Sequence, residues 1–181
     1  MPKYSREELL ERIVDTLLTG GLVEASLRPL AKAAGTSDRM LLYYFKDKDT
    51  LLSEAFSVLA ARILSQLEAD FPTGSTAAAG DLLRHLGQAT RGEQMAPAMR
   101  LWIEITAAAS RGIEPHKSVG AAILNGFLHW IEVRLPVDFP GDRPASAAAI
   151  LAAVDGAAIL DILGRPDAAT KSLEEAARRF D

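Results

Sequence analysis

Two short helical patterns that meet at one glycine set the narrowest constraint on this chain. Leu27, Leu30, Ala31 and Ala34 recur at helical spacing, Gly35 breaks the run, and a second pattern extends from Asp38 to about Phe45. Ser26 stands where a cap of the first pattern belongs, and Pro29 falls in its first turns, where a missing N–H costs little. Thr36 or Ser37 is placed to cap the second. A short helix, a glycine turn and a second short helix form a helix-turn-helix, whose second helix can lie in a DNA major groove. A further helical pattern starts just after Phe45. The whole stretch Ser26–Leu52, SLRPLAKAAGTSDRMLLYYFKDKDTLL, concentrates basic, hydroxyl and aromatic residues.

The flanking sequence supplies a frame for it. Ser5 and Glu8 form a capping box ahead of Leu9, Leu10, Ile13, Val14, Leu17 and Leu18, and Gly20–Gly21 ends that helix. Lys48 opens a fourth helix that reaches Phe71–Pro72, long enough to link two domains mechanically. Pro72, Thr73, Gly74 and Ser75 read as a linker. Helical patterns then cover about 76–91, 93–111, 115–135 and 145–163, and a last one reaches about Phe180. The segment PVDFPGDRP, 136–144, reads as a loop. Period-two alternation is absent over any useful length, so the fold class is all-α with about nine helices.

Composition narrows the chemistry. With 181 residues, 49% of them hydrophobic, the chain can bury a core in one or two small domains. There is no Cys, which excludes disulfides, thiolate metal sites and Cys nucleophiles and suits a reducing compartment. His85, His116 and His129 form no metal-ligand spacing, so no metal and no cofactor is expected. The N-terminus MPKYSREELLERI lacks the apolar core of a signal peptide, and a transmembrane span is not expected. The net charge of −4 is unevenly held. Residues 1–48 balance at +1 and residues 49–181 at −5, which leaves room for a locally basic face.

The runs A-K-A-A-G-T-S and L-L-Y-Y-F-K-D-K-D-T-L-L together resemble the DNA-binding domain of the tetracycline-repressor (TetR) family of transcriptional regulators. Ala31, Ala34, Gly35, Ser37, Leu41, Tyr43, Phe45, Lys48 and Leu51 fall in register with the family pattern. The resemblance implies an N-terminal three-helix DNA-binding domain, 1–48, and a C-terminal helical ligand-binding and dimerisation domain, 49–181. It also implies a bacterial, cytoplasmic repressor released by a small molecule. Four positions depart from the pattern. Arg39 stands for Gly, Met40 for Thr or Ser, Leu42 for the first Tyr of a pair, and Tyr44 for His.

The candidate DNA-facing set is Ser26, Arg28, Thr36, Ser37, Asp38, Arg39, Met40, Tyr43, Tyr44, Lys46 and Lys48. Leu41 and Phe45 belong to the core. Arg39 is placed to read a guanine or bind a phosphate, and Met40 to touch a thymine methyl. Tyr43 either meets a phosphate or packs with its hydroxyl at the surface, and Tyr44 divides evenly between the two. Lys48, at a helix start, suits a phosphate. Lys32 reads as simply solvated, and the same is the competing reading for Lys46.

Beyond the motif, ASAAAILAAVDGAAILDILG is apolar nearly all round and rich in small residues, so it must be buried on more than one side. A second copy can supply the other side. The expected dimer contacts are Ile150, Ala153, Val154, Ala157, Leu160, Asp161, Leu173 and Ala177. A ligand pocket is expected among Met99, Trp102, Phe127 and Trp130, with Arg100, Glu104, Asn125 and His129 as polar groups; plain core is the competing reading. The expected partners are double-stranded DNA, a second copy of the chain and an unknown small-molecule effector, with no membrane. An enzyme on a helical scaffold lacks any Ser–His–Asp order, phosphate loop or H-E-x-x-H, so no catalytic residues are expected. A helical adaptor that keeps the fold without binding DNA remains the alternative.

Overall fold

The computed structural model describes residues 4–72 and 78–181, so the expected linker residues Thr73, Gly74 and Ser75 and a helix start at 76 lie outside the described residues. Among the described residues there are nine α-helices and no strand. They are α1 (Arg6–Gly20), α2 (Leu27–Ala33), α3 (Asp38–Tyr44), α4 (Lys48–Asp70), α5 (Ala79–Arg91), α6 (Ala96–Ser110), α7 (His116–Glu132), α8 (Arg143–Ile162) and α9 (Pro166–Ala177). A single 3-10 turn, Gly21–Glu24, follows α1 and was not legible as an element. The chain folds as two compact units. One takes in Met1–Ile63 and Arg100–Ile123, the other Leu64–Met99 and Leu124–Asp181. This grouping is not the division at residue 48 read from the motif: much of α4, most of α6 and the first half of α7 join the helix-turn-helix.

Burial explains that grouping. Leu9, Ile13, Val14 and Leu17 line one face of α1 and are all essentially inaccessible, as are Leu30, Ala31 and Ala34 of the motif. Leu101, Ile105 and Val119 belong to the same core cluster. The capping box is formed: Ser5 Oγ accepts from the Glu8 amide at 3.1 Å, and Glu8 Oε2 accepts from the Ser5 amide at 2.8 Å.

The turn of the motif is built by backbone bonds. Thr36 N–H donates to Ala31 C=O at 2.9 Å and Gly35 N–H to Lys32 C=O at 3.1 Å. This is a Schellman closure with Gly35 at φ +70°, where an L side chain is strained. Ser37, not Thr36, caps α3, with its Oγ accepting from the Met40 amide at 3.3 Å. Ser26 holds the N-cap position of α2 without a side-chain cap bond. At seven residues, α3 is far too short to persist alone. Leu41 and Phe45 are 0% and 1% exposed, and their burial contributes about 1.5–3 kcal/mol each to holding α3 in place.

In the second unit α5, α8 and α9 pack together through Leu82, Leu83, Ile150, Val154, Ala157, Ala169 and Leu173. Gly87 lets α5 come close to α9, because a Cβ there would sit 2.7 Å from Leu173 Cδ1. Arg84 bridges to Asp181, Glu174 and Asp81. Arg143 caps α7 by donating to the carbonyls of Glu132 and Leu135 at 2.7 and 3.1 Å and of Pro136 at 2.6 Å. The buried Arg134 guanidinium lies 3.8 Å from the Trp130 ring centroid, donates to the Phe71 carbonyl at 3.0 Å and pairs with Glu68.

The burial pattern carries a test. Phe45→Ala is expected to cost about 3–5 kcal/mol in urea unfolding, whereas Leu42→Ala, at a position 42% exposed, shifts it by less than about 0.5 kcal/mol.

Candidate nucleic-acid interface

With Leu41 and Phe45 turned into the core, the rest of α3 points out. Asp38, Arg39, Met40, Leu42 and Tyr43 are all exposed, Tyr43 by 76%. Arg39 and Tyr43 lie four residues apart and share one face. Arg28 begins α2, and Lys46 and Lys48 sit between α3 and α4; all three side chains are exposed. Among the described residues none of Arg28, Arg39, Lys46 and Lys48 enters an ion pair. Their charges stay available to an incoming polyanion. Arg6, Arg62 and Arg91, by contrast, are committed to carboxylates: Glu54, then Glu11 and Asp15, then Asp161. Engagement of Glu11 and Asp15 by Arg62 also answers part of the acidic charge of α1 within the unit.

The remaining members of the set divide. Ser26 and Ser37 are exposed and Thr36 is half-buried. Ser37 Oγ serves as a cap acceptor, which leaves its proton free to donate. Asp47 was not singled out in the sequence, yet its Oδ1 accepts from the Thr50 amide at 2.7 Å and caps α4. That backbone bond holds the Asp47 carboxyl below its usual range. The positive end of α4 is thus partly answered already, and Lys48 offers its ammonium more than the helix offers its dipole. Tyr44 is a correction. It is half-buried, and its hydroxyl donates to the Tyr4 carbonyl at 2.9 Å. A phenol has one proton, so Tyr44 has no donor left for a phosphate.

Two groups on later helices bear on this surface and were missed in these roles. Glu104 of α6, expected as a pocket residue, accepts from the Leu22 amide through Oε2 at 2.6 Å. It lies so close to Gly21 that a Cβ there would be 2.5 Å from Oε1. His116, the first residue of α7, is 8% exposed and tilted against Phe56, with ring centroids 5.9 Å apart. Neither of its ring nitrogens has a hydrogen-bond partner among the described residues. Burial pushes its pKa down, and the Lys48 charge adds to that, against the opposing pull of Asp49 and Glu114.

The expected pocket residues fall in both units. Arg100 and Trp102 belong to the first; Met99, Asn125, Phe127, His129 and Trp130 belong to the second. Trp102 packs partly buried on the N-terminal core, and Trp130 is buried beneath Arg134. Arg100, Asn125 and His129 are exposed. A groove of about 580 Å³ is lined by Arg12, Asp15, Thr16, Thr19, Gly20, Glu24 and Ala33, and one of about 290 Å³ by residues between Gln66 and Met95. Neither is lined by the expected set.

The expected dimer contacts lie at different depths within the second unit. Ile150, Val154, Ala157, Leu173 and Ala177 are buried within their own unit, and Asp161 is held by Arg91 at 2.7 Å. Ala153 and Leu160 are half-buried. A helix apolar all round does not say which stripe its own chain covers. The large apolar side chains left outward on α8 and just after it are Ile159, Ile162 and Leu163, at 47%, 49% and 71% exposure. By length and composition alone, α8 is long and apolar enough to cross a membrane. It carries Asp155 and the salt-bridged Asp161, and part of its surface is buried inside the unit.

An exposed second helix held on a closed glycine turn and ringed by cations that are unpaired among the described residues defines a helix-turn-helix. Residues 9–55 match the family described as bacterial regulatory proteins, tetR family. The match covers the helix-turn-helix with the helices on either side of it, from α1 into the start of α4. No curated protein matches it. Among solved structures it is similar to a transcriptional regulator from Rhodococcus sp. Rha1, at 22% identity and TM-score 0.75, covering 98% of this chain and 96% of that one. The multidrug-binding protein EbrR in complex with proflavin is similar at 22% identity and TM-score 0.69, covering 96% and 98%. FadR of Bacillus subtilis with stearoyl-CoA follows at 16% identity and TM-score 0.65, covering 96% and 98%. At these identities the similarity establishes the shared fold.

The buried imidazole gives a pH test. Its folded pKa lies below that of a free histidine side chain, so the unfolded chain binds the proton first as pH falls. Stability should therefore decline as pH is lowered from about 7 to 5. His116→Phe should flatten that part of the denaturant-midpoint profile.

Proposed function

We propose that the chain is a homodimeric repressor that binds a near-palindromic operator and is released by a small-molecule effector. It acts in the bacterial cytoplasm and performs no catalysis. Residues 1–48 read DNA, and residues 49–181 hold the effector and the partner copy. The observation that carries the reading is the set Arg28, Arg39, Lys46 and Lys48, exposed around α3 and unpaired among the described residues. On duplex DNA, Arg39 and Met40 face base edges, while Tyr43, Lys46 and Lys48 hold phosphates.

One copy offers few phosphate contacts, so doubling them raises affinity and salt dependence together. Ile159, Ile162 and Leu163 are the side chains we assign to the partner copy, in place of those buried within the unit. The complexes of EbrR with proflavin and of FadR with stearoyl-CoA support an effector of one class: a predominantly apolar molecule with a polar or charged group. Release requires the effector to prefer a conformation in which the two recognition helices no longer match the groove spacing.

Selection from genomic fragments should recover a near-palindromic site. Recovery of none at low salt would sink the proposal. On that site Tyr43→Phe combined with Lys48→Gln should weaken binding, and the loss of the one ammonium should lower the slope of log Kd against log salt by about one per protomer. Arg39→Ala should relax preference at one base pair by about 1–3 kcal/mol. Leu163→Asp should shift the protein towards monomer in light scattering.

A further inference from the structure

We propose that the segment Tyr4–Arg12 is a positioning strap for the recognition helix, and that Tyr44 serves DNA binding through this strap without touching DNA. This rests on the reading of α3 as the DNA-reading element. The strap grips α3 at both ends. At the C-terminal end the Tyr44 hydroxyl donates to the Tyr4 carbonyl at 2.9 Å. Arg6 adds to that grip: its Nε donates to the Tyr44 carbonyl at 3.4 Å, its guanidinium lies 4.9 Å from the Phe45 ring centroid, and it pairs with Glu54 of α4.

At the N-terminal end the contacts fall on the turn that aims α3. The Arg12 guanidinium lies 4.1 Å from the Tyr4 ring centroid and donates to the Ala34 carbonyl at 3.3 Å. A Cβ on Gly35 would stand 3.3 Å from both Arg12 Nη1 and the Tyr4 hydroxyl. Tyr4 is therefore the shared member: its carbonyl holds the end of α3, and its ring and Arg12 back the turn before it. Apolar burial of Leu41 and Phe45 fixes how deep α3 sits, but burial is non-directional. The strap's hydrogen bonds are directional, and they fix tilt and rotation, on which base contacts depend.

The test uses the full chain with two variants. Tyr44→Phe keeps the ring and removes the donor; Arg6→Lys keeps the charge and removes the planar fork. Binding is measured on the selected operator duplex and on a random-sequence duplex across a salt series. Amide exchange of residues 38–45 is measured without DNA. Each variant should weaken operator binding by about three- to ten-fold, the scale of one lost hydrogen bond. The salt slope and random-duplex affinity should stay unchanged, and exchange in α3 should quicken. An equal loss of affinity on the random-sequence duplex in Tyr44→Phe would make Tyr44 a phosphate contact and overturn the strap. Faster exchange with unchanged operator affinity would overturn it too, as would no change in either. Failure to recover an operator would count against the regulator reading, and the exchange experiment would still decide whether the strap holds α3.

Discussion

A seven-residue helix cannot hold its own shape in water, and everything DNA-facing in this protein depends on one. Leu41 and Phe45 supply its hold. Both are buried against α1 and α4, and their inward direction fixes the outward direction of Arg39, Met40 and Tyr43. The Schellman closure at Gly35 sets the angle at which α3 leaves α2. The core and the turn therefore serve the same end: a short, exposed and rigidly carried helix.

Charge is arranged to the same effect. The protein is acidic overall, which opposes DNA as a bulk property. Locally the balance is set by which charges are engaged. Arg62 answers Glu11 and Asp15, and Arg6 answers Glu54. Arg28, Arg39, Lys46 and Lys48 stay unpaired among the described residues. Net charge counts both groups alike, whereas only the second is left available to a phosphate among the described residues.

The motif was legible because its signals are local. The Ser5–Glu8 capping box, the break at Gly35 and the apolar stripe of α1 each sit within a few residues of what they determine. What escaped the sequence is non-local. Tyr44 donates to a carbonyl forty residues away, and Glu104 accepts from the Leu22 amide eighty-two residues away. Backbone partners leave no residue-type signal. The burial of α8 was illegible for a different reason: the helix is apolar on every side, so periodicity does not separate the stripe covered by α5 and α9 from the stripe left outside. The pocket residues were chosen as aromatic and polar groups on nearby helices, and such groups are equally suited to core, as Trp102 and Trp130 illustrate. The gain from Leu101, Ile105 and Val119 in the N-terminal core is similar in kind, since it ties parts of α6 and α7 to the DNA-reading helices without any marker in the motif.

The central claim is that two copies of α3 read duplex DNA at once. Hydroxyl-radical footprinting of the selected operator tests it most directly. The account predicts two equal protected segments related by a two-fold axis, with their major-groove centres about 34 Å or a whole multiple apart. A single protected segment, or protection with no fixed spacing between segments, would contradict it.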